Sequence, residues 1–275
     1  MGQAAELNRR YLRLLQLDVQ PPTLSYLREI VFRQVCRIPF ENVSKLLLRR
    51  REGAGRVTTL EEYLEGIERY DLGGTCYTCN PFLAELLRSL GFDADLRGAD
   101  MSLPDVHTSI RVRVDGRTYH VDAGYGGPFR SPLCVEELPQ EIREGEHRYV
   151  VDHGPRDGDI VVTHFAGAAR LHGYIAHDPE RHRDFFRRTI LDSFQPGKTF
   201  MSCLRIVRIF ARHSVELHNG TLVIHRSTGT RTTELTSLAQ LRAAVADQLA
   251  MPRCPVADAV ETLELLTGQS LFDKD

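Results

Sequence analysis

Apolar and polar positions follow two different periods along this chain, and the change falls near residue 93. Before it, spacings of three and four dominate. Pro21-Pro22-Thr23 opens a stretch in which Leu24, Leu27, Ile30 and Val31 share one helical face. Pro39 closes that helix, and PFENVSKLLL begins a turn or a short new element. Leu60, Tyr63 and Leu64 repeat the helical spacing, with Thr58 or Thr59 as N-cap. In LGGTCYTCNPFLAELLRSLGF two glycines lead into a helix with an apolar stripe of Leu83, Leu86, Leu87 and Leu90, stopped by Gly91. Cys76 therefore falls at or just before a helix N-terminus.

After residue 93 the period becomes two. HTSIRVRVDGRTYHVDAGYGG carries Asp115-Gly116 between alternating runs, a hairpin signal. HRYVVDHGPRDGDIVV reads as another strand pair, and RLHGYIAHDPERHRDFFRRTI as loop mixed with short helix. LRIVRIFAR and VELHNGTLVIH are further strands, the latter turning at Asn219-Gly220. SLAQLRAAVADQL and VADAVETLELL are helical. The picture is a helical N-terminal region, a β-rich middle and a mixed C-terminal region, an α+β chain divided near residues 90 and 190.

The hairpin allows a geometric deduction. With Asp115-Gly116 as a two-residue turn, Val114 faces Arg117 and paired numbers sum to 231. Alternate residues change face. One face holds Val106, Thr108, Ile110, Val112, Val114, Tyr119, Val121, Ala123 and Tyr125, a core face. The other holds His107, Ser109, Arg111, Arg113, Thr118, His120, Asp122 and Gly124, a polar face. Asp122 then lies opposite Ser109 and diagonal to His107, a span that a carboxylate and an imidazole can bridge. Such a pair orients the ring and sets its tautomer. A solvated face with a casual ion pair is the alternative reading.

Composition narrows the setting. The chain has 275 residues, 42% hydrophobic and 26% charged, with a net charge of -2. That balance gives no electrostatic case for nucleic acid or an anionic membrane as a partner. The first residues lack a basic tip followed by an apolar run, so they do not read as a signal peptide. Glu6 stands where a myristoylation pattern needs Ser or Thr. No apolar run is long enough to cross a bilayer. Six cysteines without a secretion signal point to reduced thiols in a cytoplasmic protein.

The candidate chemistry gathers around Cys76. A helix N-terminus and an imidazolium both favour a thiolate, the nucleophilic form. Gly73-Gly74 permit a close backbone approach and leave room beside the sulfur. The bland reading is a buried cysteine acting as a small hydrophobe. Cys76-Tyr77-Thr78-Cys79 also spells CxxC, but no second such pair supplies zinc ligands, so no metal is expected. A redox reading wants a preceding strand, and the preceding segment is helical. Gly124-Tyr125-Gly126-Gly127 could offer backbone N–H groups to a phosphate or an oxyanion, or be a plain tight turn. The eleven histidines are scattered and read mostly as surface residues.

Taken together, IPFEN (38–42), GGTCYTCN (73–80), His107 with its following strand and VDAGYGG (121–127) make the chain resemble the arylamine N-acetyltransferases. SFQPGKTFMSCLRIVR, around Phe200, resembles the corresponding segment of that family. The resemblance implies a helical bundle (1–90) carrying the nucleophile, a β-barrel (91–190) carrying His and Asp, and an α/β lid (191–275), around a cysteine-protease-like core. It implies a Cys76, His107, Asp122 triad and acetyl-CoA as co-substrate. Cys76 would take the acetyl group as a thioester and pass it to a small aromatic amine, hydroxylamine or hydrazine. Phe40, Tyr125 and Phe200 are candidates for the acceptor pocket, Gly124 and Gly126 for contacts with the coenzyme.

Two positions depart from the family pattern R-G-G-x-C-x-E-x-N. Leu72 replaces the arginine and Thr78 the glutamate. The arginine's usual partner is the glutamate of the PFEN block, here Glu41, which is then expected to be solvated or to pair elsewhere, for example with Arg69. Other readings of the same residues are an amide synthase moving a longer acyl group, a thiol hydrolase or transglutaminase-like enzyme, and a binding protein with an inactive triad.

Overall fold

A computed structural model describes residues 2–272. In chain order the elements begin with α1 (Gly2–Leu15), α2 (Leu24–Arg37), β1 (Phe40–Glu41), α3 (Val43–Glu52), α4 (Leu60–Tyr70) and α5 (Cys76–Ser89). Local signals start and stop these helices. Thr23 caps α2 by accepting from the Tyr26 N–H, and Thr59 and Glu62 form a reciprocal capping box at α4. Gly53 ends α3 in the left-handed conformation. PFEN is thus a two-residue strand running into a helix, because its strand finds a partner far along the chain.

Eight strands follow: β2 (Asp93–Asp100), β3 (His107–Val114), β4 (Arg117–Val121), β5 (Leu133–Cys134), β6 (Gln140–Glu144), β7 (His147–His153), β8 (Ile160–Ala166) and β9 (Ala169–Glu180). They form one antiparallel sheet in the order β5-β4-β3-β2-β9-β8-β7-β6, curled into a nearly closed barrel. The hairpin pairs as deduced, Val114 with Arg117 through Ile110 with Val121. The segment read as loop and short helix at RLHGYIAHDPE is instead the twelve-residue strand β9. Its polar residues hid the strand, since His172, His177 and Asp178 there bond to His164, Asp100 and Arg111 of neighbouring strands.

The chain ends with α6 (Arg187–Asp192), β10 (Arg205–Ile209), β11 (His213–His218), β12 (Thr221–Arg226), β13 (Gly229–Glu234), α7 (Leu238–Asp247) and α8 (Val256–Thr267). A second antiparallel sheet runs β1-β10-β11-β12-β13, with Phe40 opposite Val207. The larger apolar core joins helices of both ends to one face of the barrel, where Ile110, Val112, Tyr119 and Val121 lie. The smaller fills the barrel interior around Phe129, Tyr149, Val162 and Tyr174.

Curling the sheet changes the meaning of the hairpin's polar face. Its far end is not solvated: His107, Ser109, His120 and Asp122 are all buried, turned toward Tyr174 inside the barrel. Arg111, Arg113, Thr118 and the turn remain in or near solvent. Burial of this kind is costly for a polar group without a partner: His107, Asp122 and His120 Nε2 have one, while Ser109 Oγ and His120 Nδ1 do not.

Candidate active site

Cys76 opens α5, and the chain reaches that position through a passage too narrow for side chains. A Cβ on Gly73 would fall 2.0 Å from the Pro39 carbonyl oxygen, and one on Gly74, at φ +152°, 2.1 Å from Thr78 Oγ1. The same passage is stitched to β1, where Glu41 N–H donates to the Gly74 carbonyl at 3.0 Å. From the barrel side, Thr108 Oγ1 donates to the Cys76 carbonyl at 2.8 Å. The sulfur is thereby placed against the start of β3, 3.9 Å from the Val106 carbonyl oxygen.

His107 is the first residue of β3. Its Nε2 lies 2.7 Å from Asp122 Oδ2, and Cys76 is near enough to raise the pKa of the same ring. Asp122 stands just past β4 and is held on its other oxygen, Oδ1, by Asn80 Nδ2 at 2.9 Å and the Gly124 N–H at 2.8 Å. Asn80 also accepts from the Ala123 N–H at 2.8 Å. Its position four residues after Cys76 places both on one face of α5. That spacing, inside the GGTCYTCN motif, was the available signal for Asn80.

Burial sets the electrostatics. It would raise the Asp122 pKa, but the His107 charge and hydrogen bond, with Asn80, outweigh it and hold the carboxyl at about 2. Burial would lower His107, yet Asp122 and then Cys76 raise it to about 10. An ionised Asp122 needs the Nε2 proton, which leaves Nδ1 as the ring nitrogen for the sulfur. His120, on the same face, is pulled by burial down to about 4 and shares a 2.8 Å hydrogen bond with the Tyr174 hydroxyl. Tyr174 stacks obliquely on His107, ring centroids 4.6 Å apart, and closes the barrel side of the site.

Of the other residues singled out, Phe40 and Phe200 meet edge to face with ring centroids 5.7 Å apart. Tyr125 meets His107 the same way, also at 5.7 Å. Gly124 packs on the start of α5, since a Cβ there would fall 2.6 Å from Cys76 Cα. Gly126, at φ +76°, lies under the Phe40 ring.

Three expectations are corrected. Glu41 is neither solvated nor paired with Arg69, which binds Glu65 instead. It is fully buried and accepts from the backbone N–H groups of Ser44 at 2.8 Å and Gly73 at 3.1 Å. Burial raises its pKa, so amides replace a cation as its partners. The histidines are not mostly surface residues. His147, His164 and His172 form a hydrogen-bonded row, with N···N distances of 2.6 and 3.3 Å, that reaches the Tyr125 hydroxyl. Strands β7, β8 and β9 bring them together, so no sequence spacing announces the row. Finally, Asp122 does not pair with Ser109 on a ladder, because β4 ends at Val121. Cys79 is buried and unbridged, and burial pushes its thiol up to about 12. Among the described residues, no group of three or more His, Cys, Asp or Glu is placed to hold a metal ion, and no helix is long and apolar enough to cross a membrane.

A family model described as N-acetyltransferase matches residues 23–251. The arylamine N-acetyltransferase of Mycolicibacterium smegmatis is 29% identical over 254 residues, 86% of this chain and 89% of that protein. Among solved structures, the Nocardia farcinica arylamine N-acetyltransferase superposes with a TM-score of 0.79 at 25% identity, over 99% of this chain and 97% of its own. The Mycobacterium marinum arylamine N-acetyltransferase solved in complex with CoA gives 0.77 at 22% identity, over 94% and 97%.

Proposed function

Because the chain belongs to the arylamine N-acetyltransferase family, we propose that it transfers an acetyl group from acetyl-CoA to an arylamine in two steps through a thioester on Cys76. The observation that carries this reading is His107, bound to Asp122 at 2.7 Å on Nε2, opening the strand against whose start the Cys76 sulfur lies, 3.9 Å from the Val106 carbonyl oxygen.

In the first step His107, kept protonated by Asp122, already holds the proton from the Cys76 thiol, and the sulfur attacks the carbonyl carbon of the donor thioester. The new S–C bond forms as the coenzyme's C–S bond breaks, and His107 gives its proton to the departing sulfur. In the second, the amine nitrogen attacks the Cys76 thioester. His107 removes the N–H proton as the C–S bond to Cys76 breaks, which restores the protonated ring beside the free sulfur. No proton or electron is gained or lost overall. Asp122 stays ionised throughout, orienting the ring and stabilising its charged form. Asn80 acts through Asp122 as a positioning residue.

The glycine loop 124–127, pressed against the start of α5, is assigned to the donor thioester. The CoA complex of the Mycobacterium marinum relative supports coenzyme A as that donor. Phe40, Phe200 and Tyr125 supply aromatic surface on the acceptor side. Amines, hydroxylamines and hydrazines on an aromatic ring are the expected acceptors.

Intact-mass spectrometry after incubation with acetyl-CoA tests the covalent step. A gain of one acetyl group, lost in Cys76→Ala and discharged by an added arylamine, is expected. A gain only from longer acyl thioesters would make the protein an amide synthase, and no gain from any thioester would leave it a binding protein.

A further inference from the structure

Lys45 is a buried cation without a counter-ion. It is only 8% exposed, on α3, and its ammonium donates to Ser193 Oγ and sits 4.1 Å from the Phe194 ring centroid. Among the described residues no carboxylate reaches it, and burial lowers its pKa to about 8, which still leaves it charged near neutral pH. An ammonium has three donors, of which the Ser193 hydroxyl takes one. Keeping such a charge buried and unpaired is costly, and that cost is commonly met where a ligand supplies the missing partner.

The space beside it is open. A cavity of about 400 Å³ is lined by Lys45 together with Leu72, Thr75, Thr78, Phe194 and Arg56. That volume suits a one-ring ligand. Arg56 is already committed to Glu52 and Glu62, so it brings no free charge to the cavity. Thr75, the N-cap of α5, makes no side-chain cap bond, leaving the positive end of that helix on the same wall. Leu72 and Thr78, the two departures from the family pattern, both line this cavity with short or uncharged side chains. Arg51, Arg69, Glu62 and Glu65 also line the cavity, but each is held in an ion pair, Arg51 with Glu52, Arg69 with Glu65 and Glu62 with Arg56, which leaves Lys45 as the lining cation with no carboxylate partner among the described residues.

We propose that this cavity binds a small aromatic carboxylate, its anionic end paired with Lys45 and its ring against Phe194 and Leu72. The carboxylate has two possible sources: it is carried by the acceptor amine, or it belongs to a free effector. Whichever the source, the test does not require transfer to occur.

Equilibrium titration of the full chain with benzoate provides that test. Saturable binding is expected, weakened at least about 10-fold in Lys45→Met and largely kept in Lys45→Arg. On the unaltered protein, neutral benzamide should bind at least about 10-fold more weakly than benzoate, a comparison that no folding defect can mimic. Two kinetic arms separate the sources. If the acceptor carries the carboxylate, Lys45→Met raises KM for 4-aminobenzoate and leaves aniline unchanged. If a free effector binds, benzoate changes kcat for aniline without competing with it. Absence of saturable benzoate binding, or equal binding of benzoate and benzamide, overturns the proposal.

Discussion

His107 Nε2 meets Asp122 Oδ2 at 2.7 Å although Asp122 lies beyond the last paired residue of its strand. The carboxylate is therefore positioned by Asn80 and the Gly124 N–H rather than by the β-ladder. Asp122→Asn keeps the shape and both of those neighbours but removes the charge that fixes the ring. Turnover is expected to fall at least about 10³-fold, with the protein still folded. Steady-state kinetics beside circular dichroism measures both; near-normal kcat would refute the role given to Asp122.

Asn80 supplies two donors and an acceptor to this arrangement. Asn80→Ala leaves the Thr108 carbonyl and the Ala123 N–H unpaired in a buried site, at a cost of about 2–4 kcal/mol in stability. Activity should drop by about 10- to 100-fold as Asp122 loosens, with the larger change in kcat rather than KM. Urea unfolding and initial rates check the two parts separately.

Gly124 touches the nucleophile's own backbone. In Gly124→Ala the added carbon has no flexible neighbour to displace, since Cys76 Cα at 2.6 Å is part of α5. The helix start must shift, so acetylation of Cys76 is expected to slow at least about 100-fold. Rapid-quench measurement of the acyl-enzyme would show it, and an unchanged rate would mean the loop yields instead.

The pair also shapes stability against pH. His107 titrates at about 10 rather than the ordinary 6.5, so its contribution is complete below 6.5 and fades as pH climbs through 10. Asp122 titrates at about 2 rather than 3.8, so its contribution is complete above 3.8 and fades as pH falls through 2. The stability difference between the unaltered protein and Asp122→Asn should thus be greatest between pH 3.8 and 6.5 and shrink toward pH 10. Chemical unfolding across that range is the measurement, and a difference that grows above pH 7 would contradict the assignment.

Cysteine selectivity gives a further check. Burial pushes Cys79 up to about 12 and also raises Cys36, Cys134, Cys203 and Cys254. Iodoacetamide near neutral pH is expected to label Cys76 ahead of the other five, read by peptide mass mapping. Equal labelling would show a sulfur that His107 does not activate.

Local chemistry along the chain was sufficient for a good part of this structure. Asp115-Gly116 takes positive φ at both residues, and the two-residue turn it makes dictates every pairing between β3 and β4. Glycines 73 and 74 followed by an amphipathic run place Cys76 at a helix start, and the hairpin register with the family motifs pointed to Cys76, His107 and Asp122 as the candidate triad. These are effects between residues close in sequence, where turn geometry and side-chain period leave few choices. Whether the hairpin's polar face meets water or the inside of a barrel depended on β9 closing over it, a pairing of β2 with residues some eighty positions away. The same closure assembled His147, His164 and His172, and concealed β9 behind polar residues satisfied by other strands. Glu41 accepted backbone N–H groups rather than a cation because folding brought the Gly73 amide to it. Burial and partner choice are properties of the packed chain, and a pattern of side chains cannot state them before the distant segments meet.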